Sequence, residues 1–375
     1  MKQKILILST GGTIACSESA QGLVPTVAAK DILALLPSAM DGDFQLTFLE
    51  LFQMDSSSIG PSHWLSIAEV IDRRYGEFDG FLITHGTDTM AYTASALSFL
   101  LAGRKKPVVL TGSQLPASAP GSDAADNLKT AFLAFYTPLS GVMIAFCGRL
   151  IRGCRASKLR TQSFCAFESI NAAPLADFSK KATQTEGGYQ PPESGCRSLT
   201  ESFPSPKAFD AALDNTACCS TSSPEAAVFR TAAAQEDSDP RYPLRLDSHV
   251  ALLKLTPGMP PAFLTAIAQS GLHGIVLELF GAGNFPSEDE ALMNALHGLA
   301  KRDIVFVTKS QCPFEPCDSQ VYAAGQALSF LRPICAGDMT AEAALTKLMW
   351  ALGQSRKPER VRQLFFTNLA GEICL

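Results

Sequence analysis

Hydroxyl and charged side chains follow successive aliphatic segments of this sequence, each at the point where the aliphatic run stops. Thr13 follows the first run through a glycine pair, Thr87 and Asp88 follow the second, and Lys158 comes after the fourth. A threonine hydroxyl is a poor nucleophile unless a neighbouring group takes its proton. A lysine in a partly desolvated site beside a carboxylate can keep a hydroxyl or a water reactive. These residue types therefore indicate nucleophilic chemistry, provided that the fold brings them together.

Each of these residues also has an ordinary structural interpretation. Thr and Asp are common helix N-caps, and Thr87 or Asp88 stands where a helix starting near residue 89 needs one. A threonine after two glycines fits a plain turn, and most lysines are solvated surface charge. His85, in the same loop, is interpreted as a structural histidine. Capping alone does not account for this loop, because one helix end needs one cap and several hydroxyl and carboxylate residues crowd together here.

Short aliphatic segments alternate with amphipathic ones in both halves of the chain. The predicted strands are residues 5–9, 80–84, 107–111, 142–146, 250–255, 275–279 and 304–308. The predicted helices are residues 27–36, 61–75, 89–101, 124–135, 260–269, 288–301 and 341–353. Strands that are apolar on both faces, each followed by a helix, are typical of a parallel α/β fold. Because ligands bind beyond the carboxyl ends of such strands, the loops after the first four strands should open on one edge.

A stretch of different composition separates the two halves. Residues 178–247 are rich in Ser, Thr, Pro and Glu, which is typical of a linker. We therefore predict an α/β protein of two domains joined by this variable connector. Residues 1–177 form a larger N-terminal domain with a doubly wound parallel sheet, and residues 248–375 form a smaller C-terminal α/β domain. A chain of 375 residues is long enough to bury a core in each.

Charge and composition argue against several classes of partner and site. The net charge is −5 and no basic run occurs, so nucleic acid and acidic membrane surfaces are not expected as partners. The apolar runs are too short for a membrane span, and residues 5–8 are too short for a signal peptide. The eleven cysteines are odd in number and contain no C-x-x-C pair. Reduced thiols in a cytoplasmic protein are therefore expected, without a disulfide framework and without a metal.

Together, the motifs resemble those of the L-asparaginase family, and within it the type I, cytoplasmic branch. TGGTIA at residues 10–15 and HGTDTM at residues 85–90 match the family's two diagnostic motifs in order and separation. Supporting blocks are MDSS (54–57), TGSQLP (111–116), RLIRGCRASK (149–158), PGMP (257–260), FGAGNFP (280–286) and GDMTAEAALTKL (337–348). The resemblance covers nearly the whole chain apart from the connector.

The resemblance implies an amidohydrolase that converts L-asparagine to L-aspartate and ammonia without a metal or cofactor. Thr13 would be the nucleophile that attacks the side-chain amide carbon and forms a β-aspartyl ester. Thr87, Asp88 and Lys158 would handle protons and prepare the water that hydrolyses this ester. Backbone N–H groups around the two threonines would stabilise the oxyanion, usually a large contribution in acyl transfer.

The resemblance also implies how the substrate is held. Asp55 and Ser56 would bind its α-ammonium and α-carboxylate groups, and Ser113 would lie near the amide. Asn284 would reach an active site across a subunit interface. The family assembles as homodimers or homotetramers, so we expect a homo-oligomer.

Two positions depart from the family pattern. Leu23 stands where the family carries a tyrosine in the lid after its first motif, and we expect Tyr322 to supply the phenol instead. Core packing is the alternative interpretation of Tyr322. Glu278 and Leu279 occupy the region of an arginine used by type I enzymes for allosteric activation, so such activation is not expected.

Three alternative functions can be compared on the sequence. A glutaminase-asparaginase of broader specificity is one, because a single methylene is worth only about 1–3 kcal/mol of discrimination. The amidase subunit that supplies ammonia to tRNA-linked glutamate is another, but it is not expected, because it carries an extra N-terminal domain and this sequence begins directly on the predicted first strand. A non-catalytic amino-acid-binding relative is the third. The presence of Thr13, Thr87, Asp88 and Lys158 favours an active enzyme.

Overall fold

The computed structural model describes residues 2–12, 14, 16–19, 22–25, 42–179, 241–318 and 323–374. The strands before the connector are β1 (Gln3–Gly11), β2 (Cys16–Ser19), β3 (Gly22–Pro25), β4 (Phe44–Met54), β5 (Gly80–Thr84), β6 (Pro107–Thr111), β7 (Gly141–Phe146), β8 (Arg149–Arg152), β9 (Ala156–Lys158), β10 (Phe167–Ser169) and β11 (Ala176–Asp177). The helices among them are α1 (Pro61–Arg73), α2 (Met90–Leu100) and α3 (Ala124–Leu133). The later strands are β12 (Val250–Lys254), β13 (Gly274–Leu279), β14 (Val305–Ser310) and β15 (Ile334–Cys335). The later helices are α4 (Pro261–Ile267), α5 (Glu290–Ala300), α6 (Ala323–Gln326), α7 (Ala341–Gln354) and α8 (Pro358–Phe366).

The larger sheet has seven strands in the order β11-β8-β7-β6-β5-β1-β4. Its strands from β4 to β7 are parallel, whereas β8 and β11 continue the sheet in antiparallel pairing. All five residues of β5 are buried, as expected for a central strand covered on both faces. The carboxyl ends of β1, β4, β5 and β6, with the loops that follow them, form what we call the rim.

The second half of the chain builds a smaller parallel sheet in the order β12-β13-β14-β15. One face of this sheet is covered by α7, and a separate apolar cluster on the other face includes Leu264, Leu292 and Leu296 from α4 and α5. The predicted two-part α/β architecture, with the larger sheet first, is therefore confirmed. The exact boundaries at residues 177 and 247 stay a prediction.

One apolar core runs from the first half of the chain into the second. Every residue of α2 except Tyr92 is buried, so this helix lies inside the protein rather than on its surface. It packs against α7, and the rings of Phe99 and Trp350 lie 6.5 Å apart between their centroids. Consequently, α2, which follows the Thr87 loop directly, is held from both halves.

Comparison of the predicted elements with the structure shows where the sequence pattern fails. The seven predicted strands and the predicted helices that lie within the described residues are confirmed, with ends that differ by a few residues. Strand β4 was missed because it lies at a sheet edge and only its first residue is buried, so it lacks a solid apolar run. Helix α8 was also missed. The helix predicted at residues 27–36 lies outside the described residues.

The prediction that the cysteines are reduced is wrong for one pair. Cys147, directly after β7, and Cys165, two residues before β10, form a disulfide with their Cα atoms 5.1 Å apart. The prediction rested on the odd cysteine count and the absence of C-x-x-C, and neither of these indicates which distant residues the fold brings together. In the part of the chain that the structure describes, no helix has the length and apolar character needed to cross a membrane.

Candidate active site

Hydrogen bonds join the ends of the rim strands to one another. The Thr10 hydroxyl at the end of β1 donates to the carbonyl of Thr84 at the end of β5, at 2.9 Å. On the other side, the N–H of Gly12 donates to the carbonyl of Met54 at the end of β4, at 3.2 Å. The loops that follow these three strands therefore start from fixed positions at one edge of the sheet.

Two glycines allow the loops to touch. Gly12 has a φ of 82°, and a Cβ added to it would lie 2.3 Å from the backbone nitrogen of Gly86. A Cβ on Gly86 would in turn lie 2.6 Å from the hydroxyl oxygen of Ser56. A residue with a side chain does not fit at Gly12, where the opposing atoms are backbone, and Gly86 leaves room for the Ser56 side chain. The glycine pair in the first motif thus brings the backbone next to the loop that carries Thr87.

Lys158 contacts both predicted partners in the Thr87 loop. Its Nζ donates to Thr87 Oγ1 at 2.8 Å and to Asp88 Oδ1 at 2.7 Å. The Lys158 side chain is 15% exposed and that of Asp88 64%, so the pair opens to solvent on one side only. The structure therefore brings together the three described residues that the sequence analysis grouped as a proton-handling set.

The interpretation of Thr87 or Asp88 as a helix cap is wrong. The N-cap of α2 is Thr89, and its side chain makes no capping hydrogen bond. Its hydroxyl instead donates to the carbonyl of Ser56 at 2.6 Å, which ties the helix start to the loop after β4. Thr87 and Asp88 are left in the loop with their side chains directed to Lys158.

Gln114 is a neighbour of Thr87 that sequence reasoning did not single out. The Thr87 hydroxyl donates to Gln114 Oε1 at 3.1 Å, so its remaining lone pairs face Lys158. The amide nitrogen of Gln114 donates to the carbonyls of Thr161 and Ser163, at 3.1 and 3.2 Å. These contacts fix which end of the amide accepts from Thr87. The residue lies inside the TGSQLP block, but its partners are distant in sequence.

The segment that carries Lys158 is anchored in the second half of the chain. The guanidinium of Arg155, 1% exposed, donates to Asp338 Oδ2 at 2.9 Å. The hydroxyl of Ser157 donates to the carboxylate of Glu342 in the first turn of α7, at 2.7 Å. Burial raises the pKa of the Glu342 carboxyl above its usual range. The position of Lys158 therefore depends on contacts made by both halves.

Asp55 and Ser56 lie beside this cluster in the loop after β4. Asp55 caps the short 3₁₀ turn Ser56–Ser58, where its Oδ1 accepts from the N–H of Ser57 at 2.7 Å. Hydrogen bonds from the side chain and backbone of Ser57 lower the pKa of Asp55. Ser56 is buried against Gly86, as described above. The predicted substrate-holding pair is thus next to the Thr87 loop, with a carboxylate held in its charged form.

Ser113 is buried and Asn284 is partly buried, and the two residues follow strands of different sheets of the protein. Ser113 follows β6 on the rim, and its hydroxyl donates to the carbonyl of Leu115 at 2.5 Å. Asn284 follows β13 in the second sheet, where its backbone pairs with Phe280. Its side-chain oxygen is among the buried atoms of the described residues that have no hydrogen-bond partner. Its predicted role across a subunit interface stays a prediction.

Two predicted catalytic residues lie outside the described residues. Thr13 falls between Gly12 and Ile14, both of which are described and buried. Tyr322 precedes α6, and Leu23 lies in β3 without a described side chain. The roles predicted for Thr13 and Tyr322 therefore stay predictions.

Hydrogen bonds from the buried His85 ring hold the Thr87 loop in place. Its Nδ1 donates to the Gly86 carbonyl at 2.7 Å, which leaves Nε2 to accept from the Thr93 hydroxyl at 2.9 Å. Thr93 accepts in turn from the Trp64 indole at 3.0 Å. Burial lowers the pKa of His85 to about 4, so the ring is neutral near pH 7. The chain of bonds fixes the backbone next to Thr87.

Comparison with known proteins places the chain in one family. The family model "Asparaginase, N-terminal" matches residues 4–190, and "Glutaminase/Asparaginase C-terminal domain" matches residues 249–365. The chain belongs to the asparaginase family and is an amidohydrolase.

Particular relatives match over almost the full length. The L-asparaginase of Thermococcus kodakarensis is 34% identical, with 99% of each chain covered. The solved structure of the thermostable L-asparaginase from Thermococcus kodakarensis superimposes on this chain with a TM-score of 0.78, over 99% of both chains. L-asparaginase 1 of Escherichia coli K12 is 32% identical over 99% of this chain and 98% of its own.

Proposed function

We propose that this chain hydrolyses the side-chain amide of L-asparagine to L-aspartate and ammonia through a threonine nucleophile. The observation that carries the proposal is the contact of Lys158 Nζ with both Thr87 and Asp88 at the rim. A hydroxyl held between a lysine and an amide acceptor can relay a proton. Hydrolysis of an amide requires such a proton transfer in each of its two stages.

The reaction has two stages. In the first, the Thr13 oxygen attacks the amide carbon, the C–N bond breaks, and the nitrogen leaves as ammonia after taking a proton. In the second, water attacks the resulting ester, the C–O bond breaks, and the proton of the water returns to Thr13. Thr87 and Lys158 transfer these protons, and Asp88 holds the Lys158 side chain in place.

The contact between Gly12 and Gly86 supports the choice of Thr13 as nucleophile. Thr13 follows Gly12 directly and Thr87 follows Gly86, so the two backbones meet one residue before each threonine. N–H groups of such a glycine turn can also stabilise an oxyanion. We further propose that Asp55 binds the substrate's α-ammonium group, for which its lowered pKa keeps it charged.

The proposal is tested by ammonia release from L-asparagine and L-glutamine. Thr13→Ala and Thr87→Ala should each lower kcat by about 10³-fold or more. Thr265→Ala, which removes an exposed hydroxyl on α4, is the matched control and should retain wild-type activity. Acid quenching of Thr87→Ala during turnover, followed by mass spectrometry, should detect an aspartyl ester on the peptide that contains Thr13.

Three outcomes would contradict parts of the proposal. Wild-type activity in Thr13→Ala would exclude it as the nucleophile. Equal kcat/KM for both amides would indicate a glutaminase-asparaginase, and asparagine binding without ammonia release would indicate a non-catalytic relative.

The roles of Tyr322 and Asn284, and assembly as a homodimer or homotetramer in the cytoplasm, remain part of the proposal. Light scattering on a sizing column gives the oligomeric state. If Tyr322 supplies the missing phenol, Tyr322→Phe should lower kcat comparably to Thr87→Ala. An unchanged rate would assign Tyr322 to packing.

A further inference from the structure

A cluster of two histidines and one aspartate lies away from the rim, where the chain enters the second sheet. Asp247 and His249 precede β12, and His273 precedes β13. One oxygen of Asp247 and one ring nitrogen of each histidine lie within 4.8 Å of one another. The aspartate side chain is 7% exposed, whereas those of His249 and His273 are 61% and 29% exposed. The cluster is therefore open to solvent on the histidine side.

Backbone hydrogen bonds hold the three residues in place. The N–H of Asp247 donates to the carbonyl of Met349 in α7 at 2.8 Å, and the N–H of His249 donates to Asp247 Oδ1 at 2.9 Å. The N–H of His273 donates to the carbonyl of His249 at 2.8 Å. The side chains thus converge from three fixed backbone positions, which limits the reorganisation that a ligand would require.

The distances fit a transition-metal ion. His249 Nδ1 lies 3.1 Å from Asp247 Oδ1, and His273 Nδ1 lies 3.0 Å from Oδ2. Ligands of a tetrahedral Zn²⁺ with bonds of about 2.0–2.1 Å lie roughly 3.3 Å apart, so small movements would admit the ion. Imidazole nitrogen and carboxylate oxygen are both ordinary Zn²⁺ ligands.

We propose that Asp247, His249 and His273 form a binding site for a divalent transition-metal ion, with Zn²⁺ the best fit and water as the fourth ligand. This site is separate from the amide-hydrolysing rim. An open concavity of about 610 Å³, lined in part by Asp247 and His249, gives the ion a route from solvent. The ion would connect the segment before β12 to the turn before β13.

Arg356 competes with the ion in the metal-free protein. Its Nη1 lies 3.1 Å from Asp247 Oδ2, and its Nη2 lies 3.1 Å from His273 Nε2. Arginine only donates hydrogen bonds, so His273 accepts at Nε2 and carries its proton on Nδ1. Metal binding at Nδ1 releases this proton to solvent and displaces the guanidinium, whose side chain is 55% exposed and free to move outward. Removal of Arg356 should therefore strengthen metal binding.

The test is isothermal titration of the full chain with Zn²⁺ after removal of metals by chelation. Exposed thiols such as Cys312 and Cys374 are first alkylated, because thiolates also bind Zn²⁺. One ion per chain should bind, with affinity at least about 10-fold lower in His249→Ala and His273→Ala. Arg356→Gln should bind several-fold more tightly. His297→Ala, an exposed histidine on α5, is the matched control and should bind as the wild type does.

A spectroscopic measurement keeps the proposal testable if a variant is destabilised. Co²⁺ added to the alkylated wild-type chain should give the strong visible absorption of a four-coordinate site, and excess Zn²⁺ should remove it. Failure to bind one ion per chain would overturn the proposal. Binding that is unchanged in both His249→Ala and His273→Ala would overturn it equally, because the ion would then occupy a different site.

Discussion

Lys158 and Lys347 each face a carboxylate, but their surroundings differ in every other respect. Lys158 pairs with an exposed Asp88 at the rim and also contacts a hydroxyl. Lys347, on α7, pairs with Glu372, and both side chains are 0% exposed. Lys347 also donates to the Thr367 carbonyl at 2.8 Å. One pair can exchange partners with a substrate, whereas the other is closed on all sides.

The comparison shows how environment separates a reactive pair from a structural one. Burial lowers the pKa of Lys347, and the adjacent Glu372 opposes this shift. Glu372 also accepts from the N–H groups of Leu369 and Ala370, so its oxygens are satisfied without solvent. Removal of one partner from such a buried pair strongly destabilises the folded protein. The open pair at Lys158 contributes little to stability and is available for chemistry.

The largest expected effect is on catalysis at the open pair. Lys158→Met should lower kcat by about 10³-fold, because proton transfer through Thr87 loses its partner. The free energy of unfolding should change by less than about 1 kcal/mol, since Asp88 remains solvated. Ammonia release and urea denaturation measure the two quantities on one preparation. A large decrease in the free energy of unfolding of Lys158→Met, with retained activity, would show that the Lys158–Asp88 pair is structural and not reactive.

The closed pair should show the opposite response. Lys347→Met should lower the free energy of unfolding by at least about 3 kcal/mol, because the carboxyl group of Glu372 is left buried without its ion-pair partner. Addition of Glu372→Gln should recover part of this loss. Urea denaturation of the single and double variants measures both effects. A loss below 1 kcal/mol in Lys347→Met would contradict the structural role.

His85 extends the comparison to a buried group without a charge partner. Its pKa is lowered from 6.5 to about 4, so between these values the unfolded chain binds a proton that the folded chain does not. His85 therefore contributes about 3 kcal/mol to the free energy of unfolding above pH 6.5, and this contribution is lost as the pH falls toward 4.

The measurement is the free energy of unfolding across that pH range for the wild type and His85→Gln. The variant should show a smaller decrease toward acid, and His63→Gln, a partly exposed histidine on α1, serves as the control. Parallel curves for the wild type and His85→Gln would show that burial of His85 does not control the acid response.

The smallest effect concerns the neutral neighbour of the open pair. Gln114→Met removes the acceptor of the Thr87 hydroxyl and should lower kcat by about 10-fold, with KM nearly unchanged. Gln114→Glu retains an acceptor but cannot donate to the carbonyls of Thr161 and Ser163, so its kcat should be intermediate. Steady-state kinetics on asparagine separate the two parameters. An increase in KM alone would assign Gln114 to substrate binding.

The ends of the rim strands could be predicted from the sequence, because an aliphatic run and the polar residues that follow it are adjacent in the chain. Thr87 and Asp88 follow a predicted strand, and parallel strands place such loops at one edge, whereas Lys158 reaches them from β9, which pairs with β10 in a separate sheet. Gln114 was not predictable, because its role depends on carbonyls 47 and 49 residues away.

Other misses have the same physical origin. Lys347 has the sequence context of an ordinary helix lysine, and only the packing of the chain end on α7 buries it. The cluster of Asp247, His249 and His273 went unnoticed since 24 residues separate its histidines, and the sequence prediction was that no metal binds. Edge strand β4 lacks the apolar run that identified the central strands.

The contact between Gly12 and Gly86 has a consequence for how this protein can vary. A methyl group at Gly12 would meet the backbone of Gly86, whereas one at Gly86 would meet the Ser56 side chain first and the Cα of Gly12 at 3.2 Å. A library randomised at both codons and selected for growth on asparagine as nitrogen source should return glycine at each. Selection would then act on Gly12 through the backbone opposite it, and on Gly86 through the Ser56 side chain together with the Cα of Gly12.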